Sequence, residues 1–295
     1  MNSLISEIKY RTKNKFKFLY SYVSSSILGP VYHKHFTHVK TFCLFIGYPR
    51  SGHTLVASIL NAHPNISISI EYGLLLYIKL LRCRRNQIFY ALTKNSKNYS
   101  EKKNNVWTGY SYNIPNSWQG KHKTLMVLGD KNGGANSMLL QDNPDLLNRL
   151  SKVIKIKPKI IHVIRNPFDI ITTHSLRPFM KNDNLNSFQT TDLLLQIKKY
   201  FVRADVIMKL KIEGEYEIMD LYHEELISHP EKTLNDLIQF LGFQKDDEYL
   251  KICASIIYKK PHKSRFDIIW PKDLIQYVEK KFKDYPFLKH YSYNG

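Results

Sequence analysis

The sequence predicts an α/β fold, a parallel central sheet flanked by helices and built as a three-layer sandwich of the P-loop nucleotide-binding kind. Three observations carry this. The runs Phe42–Ile46 and Lys159–Ile164 are short and apolar without strict alternation, as strands buried on both faces are. Strand-like runs alternate with segments of helical periodicity, which is the pattern of βα units and a parallel sheet. The first run also passes through Gly47-Tyr-Pro-Arg-Ser-Gly52 straight into an amphipathic helix over His53–Asn61.

That last junction is a strand, a glycine-bounded loop and a helix N-terminus. Its backbone N–H groups point into one hollow and the helix dipole adds positive potential, so its natural guest is a phosphate or another oxyanion. The spacing approaches the triphosphate loop G-x-x-x-x-G-K-[ST], with Gly47, Gly52, His53 and Thr54 in frame. The lysine of that motif is missing and His53 stands in its place, while a cation, Arg50, lies inside the loop. This departure argues against an ATPase or kinase that works through Mg²⁺. It suits an anion cradle neutralised by a loop cation, with no metal expected.

The other elements follow in order. The 295 residues fit one large domain over 39–295 behind a basic segment over 1–38. In that segment Lys9, Arg11, Lys13, Lys15 and Lys17 precede the moderately apolar stretch Phe18–Tyr32, which serines, Gly29 and Pro30 interrupt. A surface or membrane-grazing helix with peripheral membrane contact is expected there, ahead of a signal peptide or anchor. Ser67–Ile70 reads as a strand, and Glu71 opens an apolar helix reaching Leu81. Residues 94–123, rich in Lys, Asn, Ser and Gly, read as an irregular surface insertion bordering a substrate site. Its aromatic residues Tyr99, Trp107, Tyr110, Tyr112 and Trp118 either stack on an acceptor or pack the insertion down. Thr124–Leu128 is a further apolar run, ending in Gly129-Asp130-Lys131 and a turn at Gly133, Gly134 and Asn136. Lys159–Ile164 ends at Arg165 and enters a helix near Phe168, with Pro167 at a favoured early position. Thr191–Lys211 is helical and Tyr216–Leu221 is a strand. Two more helices follow, one starting at Pro230 and stopping at Gly242.

Composition bounds the function less sharply. An apolar fraction of 43% supports a full core, and the net charge of +19 favours an anionic ligand, a nucleic acid or an acidic membrane. Most lysines look scattered, which points to a compositional origin; only the N-terminal run is dense. Cys43, Cys83 and Cys253 fit neither a disulfide framework nor zinc spacing and indicate a reducing, cytoplasmic setting. His33, His35 and His38 lack a neighbouring Cys or carboxylate to complete a metal site. Lys131, at a strand end where open α/β sheets bind ligands, is a candidate for stabilising charge on a leaving group, with Asp130 to orient or pair with it.

Taken together the segments resemble the family of sulfotransferases that use 3′-phosphoadenosine 5′-phosphosulfate (PAPS). Tyr48-Pro-Arg-Ser-Gly-His-Thr resembles its phosphosulfate loop, and Ile161-His-Val-Ile-Arg-Asn-Pro-Phe-Asp resembles its 3′-phosphate signature. Tyr222-His-Glu-Glu-Leu with His229-Pro and Phe240-Leu-Gly resembles a third segment. Lys263-Ser-Arg-Phe and Trp270 resemble the basic stretch that covers the cofactor.

The resemblance implies roles. Arg50, the N–H groups of Ser51, Gly52, His53, Thr54 and Leu55, and the Thr54 hydroxyl would cradle the 5′-phosphosulfate, with His53 departing from the usual Thr or Ser. Arg165 would hold the 3′-phosphate with Thr173, or Ser175, as the partner hydroxyl. His223 or Tyr222 would meet adenine, and Lys263 with Arg265 would close over the 3′-phosphate. Glu71, eight residues after His63, falls where the tyrosylprotein sulfotransferase branch has its catalytic base. The implied reaction carries a sulfuryl group to a hydroxyl, with an amine second, on a small-molecule or carbohydrate acceptor and without nucleic acid. The competing readings are a P-loop small-molecule kinase and a non-catalytic basic protein that binds nucleic acid or membrane.

Overall fold

The computed structural model describes the backbone of residues 2–101, 106–107, 110–180 and 188–295, and the side chains of residues 16, 18–101, 112–178 and 188–295. Helix α1 (Asn2–Val31) leads to strand β1 (Thr41–Gly47), α2 (His53–Asn61), β2 (Ile66–Ile70), α3 (Leu74–Leu80) and α4 (Arg85–Ser100). A two-stranded ribbon, β3 (Val106–Trp107) and β4 (Tyr110–Ser111), precedes β5 (Val127–Lys131), α5 (Gly133–Asp142) and α6 (Leu146–Ile154). Next come β6 (Lys159–Ile164), α7 (Pro167–Met180), α8 (Thr190–Glu213) and β7 (Ile218–Tyr222). Helices α9 (His223–Ser228), α10 (Pro230–Phe240), α11 (Asp247–Ser255) and α12 (Lys272–Phe282) complete the chain.

The main sheet has the order β2-β5-β1-β6-β7, and its neighbouring strands pair in parallel. Side chains of a strand alternate between faces, and β1 divides accordingly. Phe42, Leu44 and Ile46 enter one core with α4, α6 and α8, whereas Cys43 and Phe45 enter a second core with α2, α10 and α11. β6 splits in the same way, Ile160 and Ile164 against Ile161 and Val163. Two apolar faces on each central strand are the three-layer sandwich, and they explain why these strands read as unbroken apolar runs. All five strands end at the same edge, where Gly47, Ile70, Lys131, Ile164 and Tyr222 stand together.

Three expectations need correction. Glu71 does not open a helix: it sits at φ 52°, and α3 starts only at Leu74. The cause lies in β5, where the Asp130 carboxylate accepts from the N–H of Leu74 (2.8 Å) and of Tyr72 (3.3 Å) and fixes the helix start there. Asp130 is thus hydrogen-bonded to the start of α3, and among the described residues Lys131 has its ion pair with Glu71 instead. Gly133, Gly134 and Asn136 form the first turn of α5 instead of a free turn.

Residues 94–123 are also less irregular than their composition suggests. Their first part is the last half of α4, whose Asn95 Oδ1 accepts from Ser69 Oγ (2.8 Å) and from the Ile70 N–H (3.1 Å). Farther on, Ile114 is buried and the Gly120 N–H donates to Asn61 O at 2.8 Å. The polar side chains here satisfy backbone groups at the sheet edge, which composition alone cannot distinguish from solvent exposure. Tyr99 and Tyr112 pack on the second core and Trp118 is 40% exposed, while the side chains of Trp107 and Tyr110 lie outside the described residues.

Helix α1 lies on the body. Gly29 allows the backbone of Gln87 in α4 to approach where a Cβ would sit 2.7 Å away, and the Phe18 ring packs tilted on Tyr77 of α3, 4.0 Å between ring centres. Among the described residues no helix is long and apolar enough to cross a membrane.

Candidate active site

The loop between β1 and α2 turns on left-handed residues. Arg50 has φ 71° and Gly52, the N-cap of α2, has φ 99°. A non-glycine residue in this region costs on the order of 1 kcal/mol, and the neighbours over-determine it. Ser51 Oγ donates to Tyr48 O at 2.9 Å, and Arg165 Nη1 donates to Arg50 O at 3.4 Å. In α2 the Val56 N–H is bonded back to Gly52 O at 3.2 Å. The N–H groups of His53, Thr54 and Leu55 precede it and have no helical acceptor of their own. They lie at the end of α2 that adjoins the Arg50 turn, where free backbone donors attract an anion.

The His53 side chain takes a place inside the fold. Its side chain is buried beneath the loop, and Nε2 donates to Ile46 O at 3.0 Å. The ring fills the space over Gly133, where a Cβ would lie 2.4 Å from its Cε1. Burial, with the Lys131 charge nearby, lowers its pKa to about 3 and keeps it neutral. At the position of the triphosphate-loop lysine this chain therefore has a neutral strut tying the loop to β1. Only the His53 main chain is available to a ligand.

At the neighbouring strand ends, Lys131 and Glu71 meet. Lys131 Nζ donates to Glu71 Oε1 at 3.1 Å, and the Glu71 N–H donates to Lys131 O at 2.8 Å. The lysine side chain is 5% exposed and the glutamate 55%. The cation is thus fixed from behind while the carboxylate remains reachable.

The strand end of β6 brings the second group of candidates together. Arg165 is held by the carbonyls of Arg50 and His262, the latter through Nη2, and Asp169 Oδ2 lies 3.8 Å from its Nε. It thereby connects the loop with the segment around Lys263. Thr173 Oγ1 is 2.9 Å from Ser264 Oγ in that same segment. Arg165, Thr173 and the exposed Lys263 therefore converge, whereas Ser175 turns away and donates to Asp192 O at 3.3 Å.

Arg265 does not join them. It is 2% exposed, its Nη1 pairs with Asp169 Oδ2 at 2.9 Å, and its Nε donates to Tyr293 O at 2.6 Å. Its guanidinium is used up in holding the segment 262–266 and residues 291–295 to α7, so it cannot close over a phosphate. Asp169, which the sequence reading quoted in a motif without a role, is the pivot. Glu224 acts similarly, accepting from the Asn166 N–H (2.9 Å) and the Tyr291 hydroxyl (2.7 Å).

Of the two rings offered for a base contact, His223 is the one beside the loop. A Cβ on Gly52 would lie 2.7 Å from its Cδ2, and Nδ1 is buried without a partner. Burial and the Arg165 charge lower its pKa to about 3. Tyr222 instead packs edge-on against His290, 4.8 Å between ring centres.

The surroundings of Arg50 are basic. Burial, then the charges of Arg177 and Arg165, lower the Arg50 pKa, with the Tyr112 hydroxyl acting in the other direction. His174 is brought to about 4 by burial and by the charges of Arg203, Arg177, Arg50 and Lys199. An anion is the natural complement of such surroundings. Among the described residues no group of His, Cys, Asp and Glu is arranged to hold a metal ion.

Comparison with known proteins fits this geometry. No curated protein matches the chain. Solved structures to which it is similar include the sulfotransferase domain of the Synechococcus PCC 7002 olefin synthase, at 20% identity over 81% of this chain and 84% of that one, TM-score 0.46. Others are sulfotransferase STF9 from Mycobacterium avium (13% identity, 83% and 76% covered, TM-score 0.49) and mouse sulfotransferase SULT7A1 complexed with PAP (19% identity, 79% and 69% covered, TM-score 0.41). The model of the sulfotransferase family matches residues 44–247, which runs from β1 to the start of α11 and includes the loop, Glu71, Lys131, Arg165 and His223. The chain belongs to the sulfotransferase family.

Proposed function

We propose that the chain carries the sulfuryl group of PAPS to a hydroxyl acceptor, with an amine second and a carbohydrate as the leading acceptor class. The observation that carries this reading is the Glu71–Lys131 pair, a reachable carboxylate beside a fixed ammonium at the edge of an anion cradle. When bound, PAPS supplies an activated sulfuryl group and a phosphate leaving group. The donor set fits it. The first-turn N–H groups of α2 and Arg50 match the phosphosulfate end, and Arg165 with Thr173 and Lys263 matches the 3′-phosphate.

Each residue then has a task that its position supports. Glu71 accepts the proton of the attacking hydroxyl at Oε2 or Oε1, which raises the nucleophilicity of that oxygen. Lys131, held within 3.1 Å of that carboxylate, balances negative charge on the departing phosphate oxygen, together with Arg50 and the N–H groups of His53 to Leu55. Arg165 orients the nucleotide through two directed N–H groups, converting an encounter into a fixed geometry. His223, wedged against Gly52, sets the wall next to the base. The Tyr112 hydroxyl near Arg50 borders the acceptor side, where a sugar ring would pack.

A thermal-shift comparison tests the reading. Adenosine 3′,5′-bisphosphate should raise the melting temperature and ATP with Mg²⁺ should not. Transfer of label from PAPS to a panel of hydroxylated acceptors then identifies the product. Stabilisation by ATP with Mg²⁺ alone would return the chain to the kinase reading.

A further inference from the structure

One layer of the fold is basic without acidic relief. Among the residues whose side chains are described, 18–40 and 72–100, which supply most of α1 and all of α3 and α4, hold eight Lys and Arg and no Asp or Glu. These three helices touch. α1 packs on α4 around Gly29, meets α3 through Phe18 on Tyr77, and bonds the segment after α3 through the Tyr22 hydroxyl on Arg82 O (2.9 Å).

The same layer exposes apolar side chains in a line. Phe16, Tyr20, Val23, Ile27 and Val31 follow helical spacing along α1 and are 69, 67, 48, 65 and 69% exposed. The opposite side of the helix, through Phe18, Ser21, Ser25 and Gly29, is the one turned to the body. The outer line is therefore not core, and α3 adds Leu80 at 58% exposure. Lys94 of α4 places Nζ 5.6 Å from the ring centre of Tyr20, so charge lies directly beside the ridge.

An apolar ridge of this length is unfavourable in water and marks a contact surface. The surrounding charge selects the occupant. A second copy of the chain would set one strongly basic layer against another, and a nucleic acid would leave the ridge in water. An anionic bilayer satisfies both, with lipid phosphates for the basic groups and the headgroup–acyl boundary for the ridge. We propose that the α1, α3 and α4 layer docks the protein on the surface of an anionic lipid bilayer without spanning it. The inner side of α1 reaches toward the site, since Ser21 Oγ lies 3.1 Å from the hydroxyl of Tyr72, the residue after Glu71.

Sedimentation of the full chain with lipid vesicles tests this. The protein should bind phosphatidylcholine vesicles containing phosphatidylglycerol and leave vesicles of phosphatidylcholine alone unbound. Added salt should weaken the binding severalfold. The pair Val23→Glu and Ile27→Glu, both exposed, should reduce binding about tenfold or more with an unchanged melting temperature. If the pair melts earlier, Phe16→Ser at the end of the ridge reads the same contact. No binding to the anionic vesicles overturns the proposal, as does equal binding by the variants. So does a wild-type dimer in light scattering that the paired change dissociates. None of these outcomes depends on sulfuryl transfer, so the two proposals fail separately.

Discussion

Lys131 Nζ and Glu71 Oε1 are 3.1 Å apart at the strand edge, where Lys131 is the register partner of Ile70 and Glu71 is the first residue beyond β2. The ammonium is enclosed and the carboxylate half open, so the pair is asymmetric. An exposed pair would contribute little to stability; this one instead sets a proton acceptor at a fixed distance from a cation. Glu71→Gln keeps the shape and removes the acceptor. Turnover with PAPS should fall about a hundredfold or more, while affinity for adenosine 3′,5′-bisphosphate changes little. Steady-state kinetics beside calorimetric titration separate the two, and unaltered turnover removes Glu71 from the role.

Arg165 joins the loop to the 262–266 segment and presents a guanidinium between them. Charge-assisted hydrogen bonds of this kind contribute about 1.5–3 kcal/mol each. Arg165→Ala should weaken binding of adenosine 3′,5′-bisphosphate roughly ten- to a hundredfold. Arg165→Lys should not restore it, because a point charge lacks the planar fork. Unchanged affinity in a titration of either variant would place the 3′-phosphate elsewhere.

The parts legible in the sequence were those whose local pattern coincides with their tertiary role. The unbroken apolar run at β1 needs two cores, and Gly47 to Gly52 with Arg50 needs a left-handed turn, so both could be read directly. What stayed hidden depends on partners distant in the chain. The place of the His53 ring could not be read because nothing in its neighbourhood announces the Ile46 carbonyl and Gly133 that enclose it. Arg265 looked like a free cation because Asp169, ninety-six residues away, becomes its partner only after β6 and the C-terminal segment come together. The absence of acidic residues from both 18–40 and 72–100 gained meaning only once α1, α3 and α4 were seen to pack together.

Arg265 and Lys263 should therefore part company on mutation. Removing one member of a buried ion pair leaves the other uncompensated, at about 3–5 kcal/mol. Arg265→Ala should lower the melting temperature by roughly 10 °C. Lys263→Ala, at an exposed position, should leave melting unchanged and weaken adenosine 3′,5′-bisphosphate binding severalfold. Calorimetry on both variants, with and without the nucleotide, decides; a stable Arg265→Ala protein that has lost nucleotide affinity would reverse the assignment.

Acid should destabilise the fold through buried neutral histidines. His53 and His223, each lowered from 6.5 to about 3 with burial as the first cause, stay unprotonated in the folded chain. Below pH 6.5 the unfolded chain takes up protons that the folded one refuses, so stability present above the unfolded value is lost as pH falls. Each group contributes a slope of about 1.4 kcal/mol per pH unit in that window. Asp130 acts in the opposite sense. Burial raises it from 3.8 to about 6, so the folded chain binds its proton first and gains stability as pH falls between those values. The histidines outnumber it, and the net result is a loss. His53→Gln keeps a donor for Ile46 O and removes one titrating group, so its stability should fall less steeply than that of the wild type between about pH 6 and about pH 4. Denaturant unfolding across that range measures both slopes, and parallel curves would mean that the His53 ring is not held neutral beneath the loop.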